Sequence, residues 1–113
     1  TGLGGTQRQQ ADAVLARDPD NWEARAFLAR VRAALGQHDL AKRDLDELQQ
    51  QFPDDPEVLL EVARNRAAIG DYAGAQGMGD AIKRHPDYRT PVEVLIGQTH
   101  LRQGQPQQAI PLL

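Results

Sequence analysis

The residues that could do chemistry are few and badly spaced for it. Three histidines, His38, His85 and His100, are the natural candidates for proton transfer or metal ligation. None has a second histidine four positions on, the spacing that sets two imidazoles on one helix face around a metal. The chain has no cysteine, which excludes disulfides and thiolate metal sites and leaves the redox compartment open. Asp44, Asp46 and Glu47 cluster, with Lys42 and Arg43 beside them, and a solvated, ion-paired helix face accounts for such a run. The glycines from Gly74 to Gly79 follow a helical pattern and no strand, so they are not read as a phosphate-cradling loop. The expectation is a chain with no catalytic site, no metal and no cofactor, whose function is binding.

Composition narrows what is bound. A net charge of −3 speaks against nucleic acid, whose partners usually carry a basic excess or stripe. No apolar run approaches the length needed to cross a bilayer, so direct membrane insertion is not expected. Aromatic residues make up only 4% of the sequence, so aliphatic side chains and alanines must build the core through close helix packing. The chain starts without Met and ends inside a predicted helix at Leu113, which reads as a segment of a longer array.

The elements that would position a binding surface repeat. Gly36, Gly70 and Gly104 recur with a period of 34 residues, and so do Ala41, Ala75 and Ala109. Leu28, Val62 and Ile96 keep the same step, as do Ala29, Ala63 and Gly97. A period near 34 holding two helical patterns marks a helix–turn–helix solenoid. Helices are predicted over residues 6–17, 22–35, 38–51, 56–69, 72–85 and 90–103, with one more from about Pro106. Residues 1–5 read as a turn or a frayed end. Ala11, Val14 and Leu15 share one side of the first helix. Ala24, Phe27, Leu28, Val31 and Leu35 form the stripe of the second, and Ala41, Leu45 and Leu48 that of the third.

Punctuation supports those limits. Asn21 or Asp20, Asp55 before Pro56, and Asp71 are placed to cap helices. Thr90 and Glu93 have the spacing of a capping box. Gly36 supplies a left-handed helix end. Gly74, Gly77 and Gly79 lie within the predicted helix 72–85, for close packing against a neighbour or for a soft, partner-contacting helix.

The repeat residues resemble the tetratricopeptide repeat family. The first full copy has Arg25, Leu28, Ala29, Arg32, Ala41, Leu45 and Pro53 at the family's motif positions. The second has Leu59, Val62, Ala63, Arg66, Ala75 and Gly79, with Pro86 one place early. The third has Glu93, Ile96, Gly97, His100, Ala109 and Leu113. Small residues and turn glycines agree with the pattern, whereas the aromatic positions mostly do not. His38 and His100 stand at aromatic positions and are read as packing residues. Arg32 and Arg66 replace a packed aromatic, and their stems are expected to cover apolar surface while their charges reach water.

The resemblance implies an all-α fold, a right-handed α-solenoid of antiparallel helix pairs with about three repeats. Its divisions are 1–21 (second helix of a preceding repeat, plus linker), 22–55, 56–89 and a truncated repeat over 90–113. It also implies a protein-binding scaffold or adaptor whose first helices line a concave groove for a peptide or partner helix. On that face lie Glu23, Ala26 and Arg30, then Glu57, Leu60 and Arg64, then Val94, Gln98, Leu101 and Arg102. Glu23 and Glu57 form an acidic edge, and Arg30, Arg64 and Arg102 a basic ladder. Leu60, Val94 and Leu101 form an apolar patch between them. Alternatively, Arg30 and Arg64 are solvated or pair with neighbours such as Glu61.

Arginine or glutamine at Arg30, Arg64 and Gln98 sets the chain apart from the heat-shock chaperone adaptors, which use asparagine there. The Ala- and Gln-rich style resembles bacterial repeat proteins of envelope assembly and exopolysaccharide export. The compartment is left open between cytoplasm and cell envelope, with a lean to the envelope. The competing readings are a structural spacer, a homo-oligomer formed through exposed end helices, and a regulatory arm of an enzyme or export pore.

Overall fold

Helix limits follow the local signals closely. In the computed structural model, which describes residues 3–104 and the side chains of residues 6–104, every regular element among the described residues is helical. They are α1 (Leu3–Arg17), α2 (Trp22–Ala34), α3 (His38–Gln51), α4 (Pro56–Ala68), α5 (Tyr72–Gly77), α6 (Gly79–Lys83), a 3₁₀ turn (Pro86–Tyr88) and α7 (Arg89–Arg102). The expected helix beyond Pro106 lies outside the described residues. Asn21 Oδ1 accepts from the Ala24 amide at 3.0 Å, capping α2. Asp55 Oδ1 accepts from the Glu57 amide at 3.1 Å, and Pro56 opens α4 where a missing N–H costs nothing. Asp71 Oδ1 caps α5 through the Gly74 amide at 3.0 Å.

The period is visible in the backbone. Gly36, Gly70 and Gly104 have φ of 80°, 86° and 75°, the left-handed region that side chains resist. After α2, the Gln37 amide donates to the Arg32 carbonyl at 2.8 Å. After α4, the Asp71 amide donates to the Arg66 carbonyl, also at 2.8 Å. One helix-ending motif therefore recurs one repeat apart.

The chain divides into two compact units, Thr1–Pro53 and Asp54–Leu113. In the first, α2 packs against both α1 and α3. Arg25 meets Glu47 and Arg32 meets Asp44, so α2 and α3 run antiparallel. Ala41, Leu45 and Leu48 are buried as the pattern of α3 requires, and Ala11 is buried on α1. On α2 the buried set is Ala26, Leu28, Ala29 and Val31, while Leu35 is 46% exposed. A helix flanked on two sides buries a wider arc than one stripe, and Leu35 has already left the helix as its C-cap.

In the second unit α4 packs against α5, α6 and α7. Three neighbours explain why α4 buries Val58, Leu59, Leu60, Val62, Ala63 and Ala67, far more than one face. Thr99 is fully buried on α7. Its hydroxyl donates to the Ile96 carbonyl at 2.6 Å and accepts from Gln76 Nε2 at 2.8 Å, so no buried polar atom of that side chain is orphaned.

Three expectations are corrected. The first helix starts at Leu3, not near Thr6. The helix expected over residues 72–85 is interrupted at Met78, whose amide donates to the Ala75 carbonyl at 3.3 Å, a 3₁₀-type bond. Its glycines have separate explanations. A Cβ on Gly79 would run into Ile96 Cδ1 of α7, and one on Gly74 would meet the Asp71 carboxylate. Beside Gly77 there is only open space. Finally, the Thr90–Glu93 capping box does not form. The 3₁₀ turn led by Pro86 brings the chain into α7 one residue earlier, and no side chain caps Tyr88.

Candidate functional site

Two helices of the second unit frame an open groove of about 450 Å³. From α4 come Arg64, Ala67 and Ala68. From α7 come Thr90, Pro91, Val94, Leu95, Gln98 and Arg102. The steps of three and four in both sets place each group on one helix face. Behind the groove, Val92 and Ile96 hold α7 in the core, and Lys83 Nζ lies 3.9 Å from Glu93 Oε1. On α4, Asn65 is buried and its Nδ2 donates to the Glu61 carbonyl at 3.0 Å. The walls are thus fixed by packing on the opposite faces of the same helices.

The lining is apolar at Ala67, Pro91, Val94 and Leu95 and polar at Thr90 and Gln98. Its ionisable members are Arg64 and Arg102. Arg64 Nη1 lies 3.7 Å from Glu61 Oε2, with 55% of its side chain exposed. That local pair is the one the i, i+3 spacing allows.

Of the ten residues expected to face a partner, four line this groove: Arg64, Val94, Gln98 and Arg102. Leu101 is 48% exposed but lies outside the lining, and Glu57 is exposed at the start of α4. Leu60 is 6% exposed, so it belongs to the core and not to a surface patch, because α4 is covered from three sides. Glu23, Ala26 and Arg30 belong to the first unit, where Glu23 and Arg30 are exposed and Ala26 is buried beneath the helices flanking α2. Thr90 and Leu95 had no place in the expected site. Thr90 is expected as a helix cap, and Leu95 is 7% exposed, a core residue of α7 that also reaches the groove.

The two arginines at aromatic positions do not send their charges to water. Arg32 Nη1 donates to Asp44 Oδ1 at 2.9 Å and Oδ2 at 2.8 Å. Arg66 is buried and its Nη1 donates to Asp71 Oδ2 at 3.3 Å. Each arginine thus meets a carboxylate from the hairpin that follows it, and Asp71 serves as cap and counter-ion together.

Asp44 is accordingly not part of a solvated cluster. Burial pushes its carboxyl above the usual 3.8, against the opposing effects of the Arg32 hydrogen bond and charge; Glu47 adds to the rise and Arg25 opposes it.

The histidines are separate features. His38 is the exposed first residue of α3, so it does not pack as an aromatic would, and His100 is half-buried on α7. His85 Nε2 lies 3.4 Å from Asp54 Oδ1. Among the described residues, no group of three or more His, Asp or Glu could hold a metal ion, and no helix is long and apolar enough to cross a membrane.

Neither a curated protein nor a solved structure matches the chain. The family model described as Tetratricopeptide repeat matches residues 8–61, which span α1, α2, α3 and the first turns of α4. The paired helices and the glycine turn at Gly36 agree with that match: residues 8–61 carry tetratricopeptide-repeat sequence.

Proposed function

We propose that this chain is a protein-interaction module that holds a segment of a partner protein in the groove between α4 and α7. Tetratricopeptide repeats generally mediate protein–protein interactions and are typically non-catalytic, which supports the general reading. The observation that carries the specific one is the groove itself. It gathers Arg64, Ala67, Val94, Gln98 and Arg102 from α4 and α7. Small side chains leave room for a partner, and polar ones at the rim can orient it. The narrower assignment, to bacterial envelope assembly or exopolysaccharide export, rests on the Ala- and Gln-rich style of the repeats.

The test is co-purification of partners from a native lysate, followed by reconstitution with the purified partner. The unsubstituted chain runs beside Arg64→Glu/Arg102→Glu and Val94→Lys variants whose helicity is checked by circular dichroism. A partner held by the unsubstituted chain and lost by the folded variants is the expected result. Equal retention by all three would move the binding surface elsewhere. Concentration-dependent dimerisation, indifferent to these substitutions, would favour the spacer or self-association reading.

A further inference from the structure

The break at Met78 divides one expected helix into two, and the two halves are held by different neighbours. α5 has 6 residues and α6 has 5, too few for either to persist without packing. At the joint the Met78 amide bonds the Ala75 carbonyl at 3.3 Å, and glycines stand on both sides, at Gly77 and Gly79. A Cβ on Gly77 would meet nothing within 4 Å, so no neighbour wedges the joint there.

α5 belongs with α4. Asp71, which caps α5, is gripped by the buried Arg66 of α4 at 3.3 Å. α6 belongs with α7. Its backbone at Gly79 lies so close to Ile96 that a Cβ has no room, and Lys83 Nζ lies 3.9 Å from Glu93 Oε1. α4 packs chiefly on α5 and α6 chiefly on α7, while each pairing across the two hairpins is sparser. The polar tie across the joint is Gln76 of α5, whose Nε2 donates to Thr99 Oγ1 at 2.8 Å and Gln103 Oε1 at 3.2 Å at the end of α7.

We infer that Met78 is a hinge: α6 and α7 turn about it as one body against α4 and α5, with Gln76 as the latch. The groove has one wall on each body, Arg64 to Ala68 on α4 and Thr90 to Arg102 on α7, so the hinge sets its width. That consequence rests on the groove's being the binding site; the hinge itself does not.

The test measures distances in the chain without any partner. The chain has no cysteine, so paired cysteines at exposed positions carry spin labels for pulsed dipolar EPR. Glu57→Cys/Leu101→Cys spans the hinge, Glu57→Cys/Ala73→Cys reports α4 against α5, and Asp80→Cys/Leu101→Cys reports α6 against α7. The expected result is a second, shifted distance population for the spanning pair and single narrow ones for the other two. Gln76→Ala should enlarge the second population about two- to tenfold, the worth of a hydrogen bond. Thr99 still bonds the Ile96 carbonyl in that variant, so no buried hydroxyl is orphaned. Gly77→Ala, which restricts the backbone beside the joint, should shrink the population about two- to fivefold. Helicity of each variant is checked by circular dichroism. Narrow distributions for all three pairs, unmoved by Gln76→Ala, would overturn the hinge. A second population in the Asp80–Leu101 pair would overturn it too, since α6 would then move without α7. Loss of the groove as a binding site in the partner experiment would leave these distances unchanged, so the two readings fail separately.

Discussion

Arg32 grips both carboxylate oxygens of Asp44, at 2.9 and 2.8 Å, across the seam between α2 and α3. Asp44 is only 4% exposed, so its charge depends on that one guanidinium and on Arg25 farther along the seam. The pair joins the two helices at one end, as Arg25 and Glu47 do nearer the other, with Arg25 Nη1 2.6 Å from Glu47 Oε2.

Removing either partner is expected to destabilise the first unit, but unequally. Asp44→Ala leaves an arginine side chain that is 24% exposed and can turn to water. The expected cost is about 2–3 kcal/mol. Arg32→Leu leaves a carboxylate that is 6% exposed with no fork to hold it. That loss should approach about 3–5 kcal/mol, while the apolar double replacement Arg32→Leu/Asp44→Leu should recover most of it. Urea denaturation followed by circular dichroism checks the order; equal costs for the single variants would contradict it.

Asp44 also gives an unusual pH dependence. Its folded-state value is raised above 3.8, so the native state takes up this proton before the unfolded chain does. Between 3.8 and the raised value the native state binds more protons, and this group's contribution to stability grows as pH falls. It is lost again as pH rises through the folded value. The melting temperature of the unsubstituted chain relative to Asp44→Asn should therefore increase on acidification through that window. A difference that shrinks would mean that Arg32 outweighs burial.

The glycines offer a contrast in which only backbone differs. A Cβ on Gly36, Gly70 or Gly77 would meet nothing within 4 Å, so no substitution there clashes. Gly36 and Gly70 have φ of 80° and 86°, and alanine at either should cost about 1–2 kcal/mol. Gly77 ends α5 in a conformation alanine adopts freely, and Gly77→Ala should stabilise by about 0.5–1 kcal/mol. Denaturation midpoints moving in opposite directions are the expected outcome.

Much of this protein is local, and local features could be read from the residues alone. The 34-residue glycine step, the Asn21, Asp55 and Asp71 caps and the α3 stripe of Ala41, Leu45 and Leu48 each depend on neighbours within a few positions. Helix limits followed, because a cap, a helical stripe and a left-handed turn are decided within one or two turns of chain. The Glu61–Arg64 pair was legible for the same reason. Tertiary structure alone decided the rest. Leu60 and Ala26 look available on a helical wheel and are buried, because α4 and α2 each have more than one neighbour. Arg32 and Arg66 look like snorkelling side chains until folding brings Asp44 and Asp71 against them. Met78 breaks a helix whose glycines flank it, beside the close approach of Gly79 to Ile96. The groove belongs to this second class, since Arg64 and Arg102 stand more than a repeat apart in sequence and share a wall only when α4 and α7 pack. Spacing sets what one helix presents, and packing sets which presented groups meet.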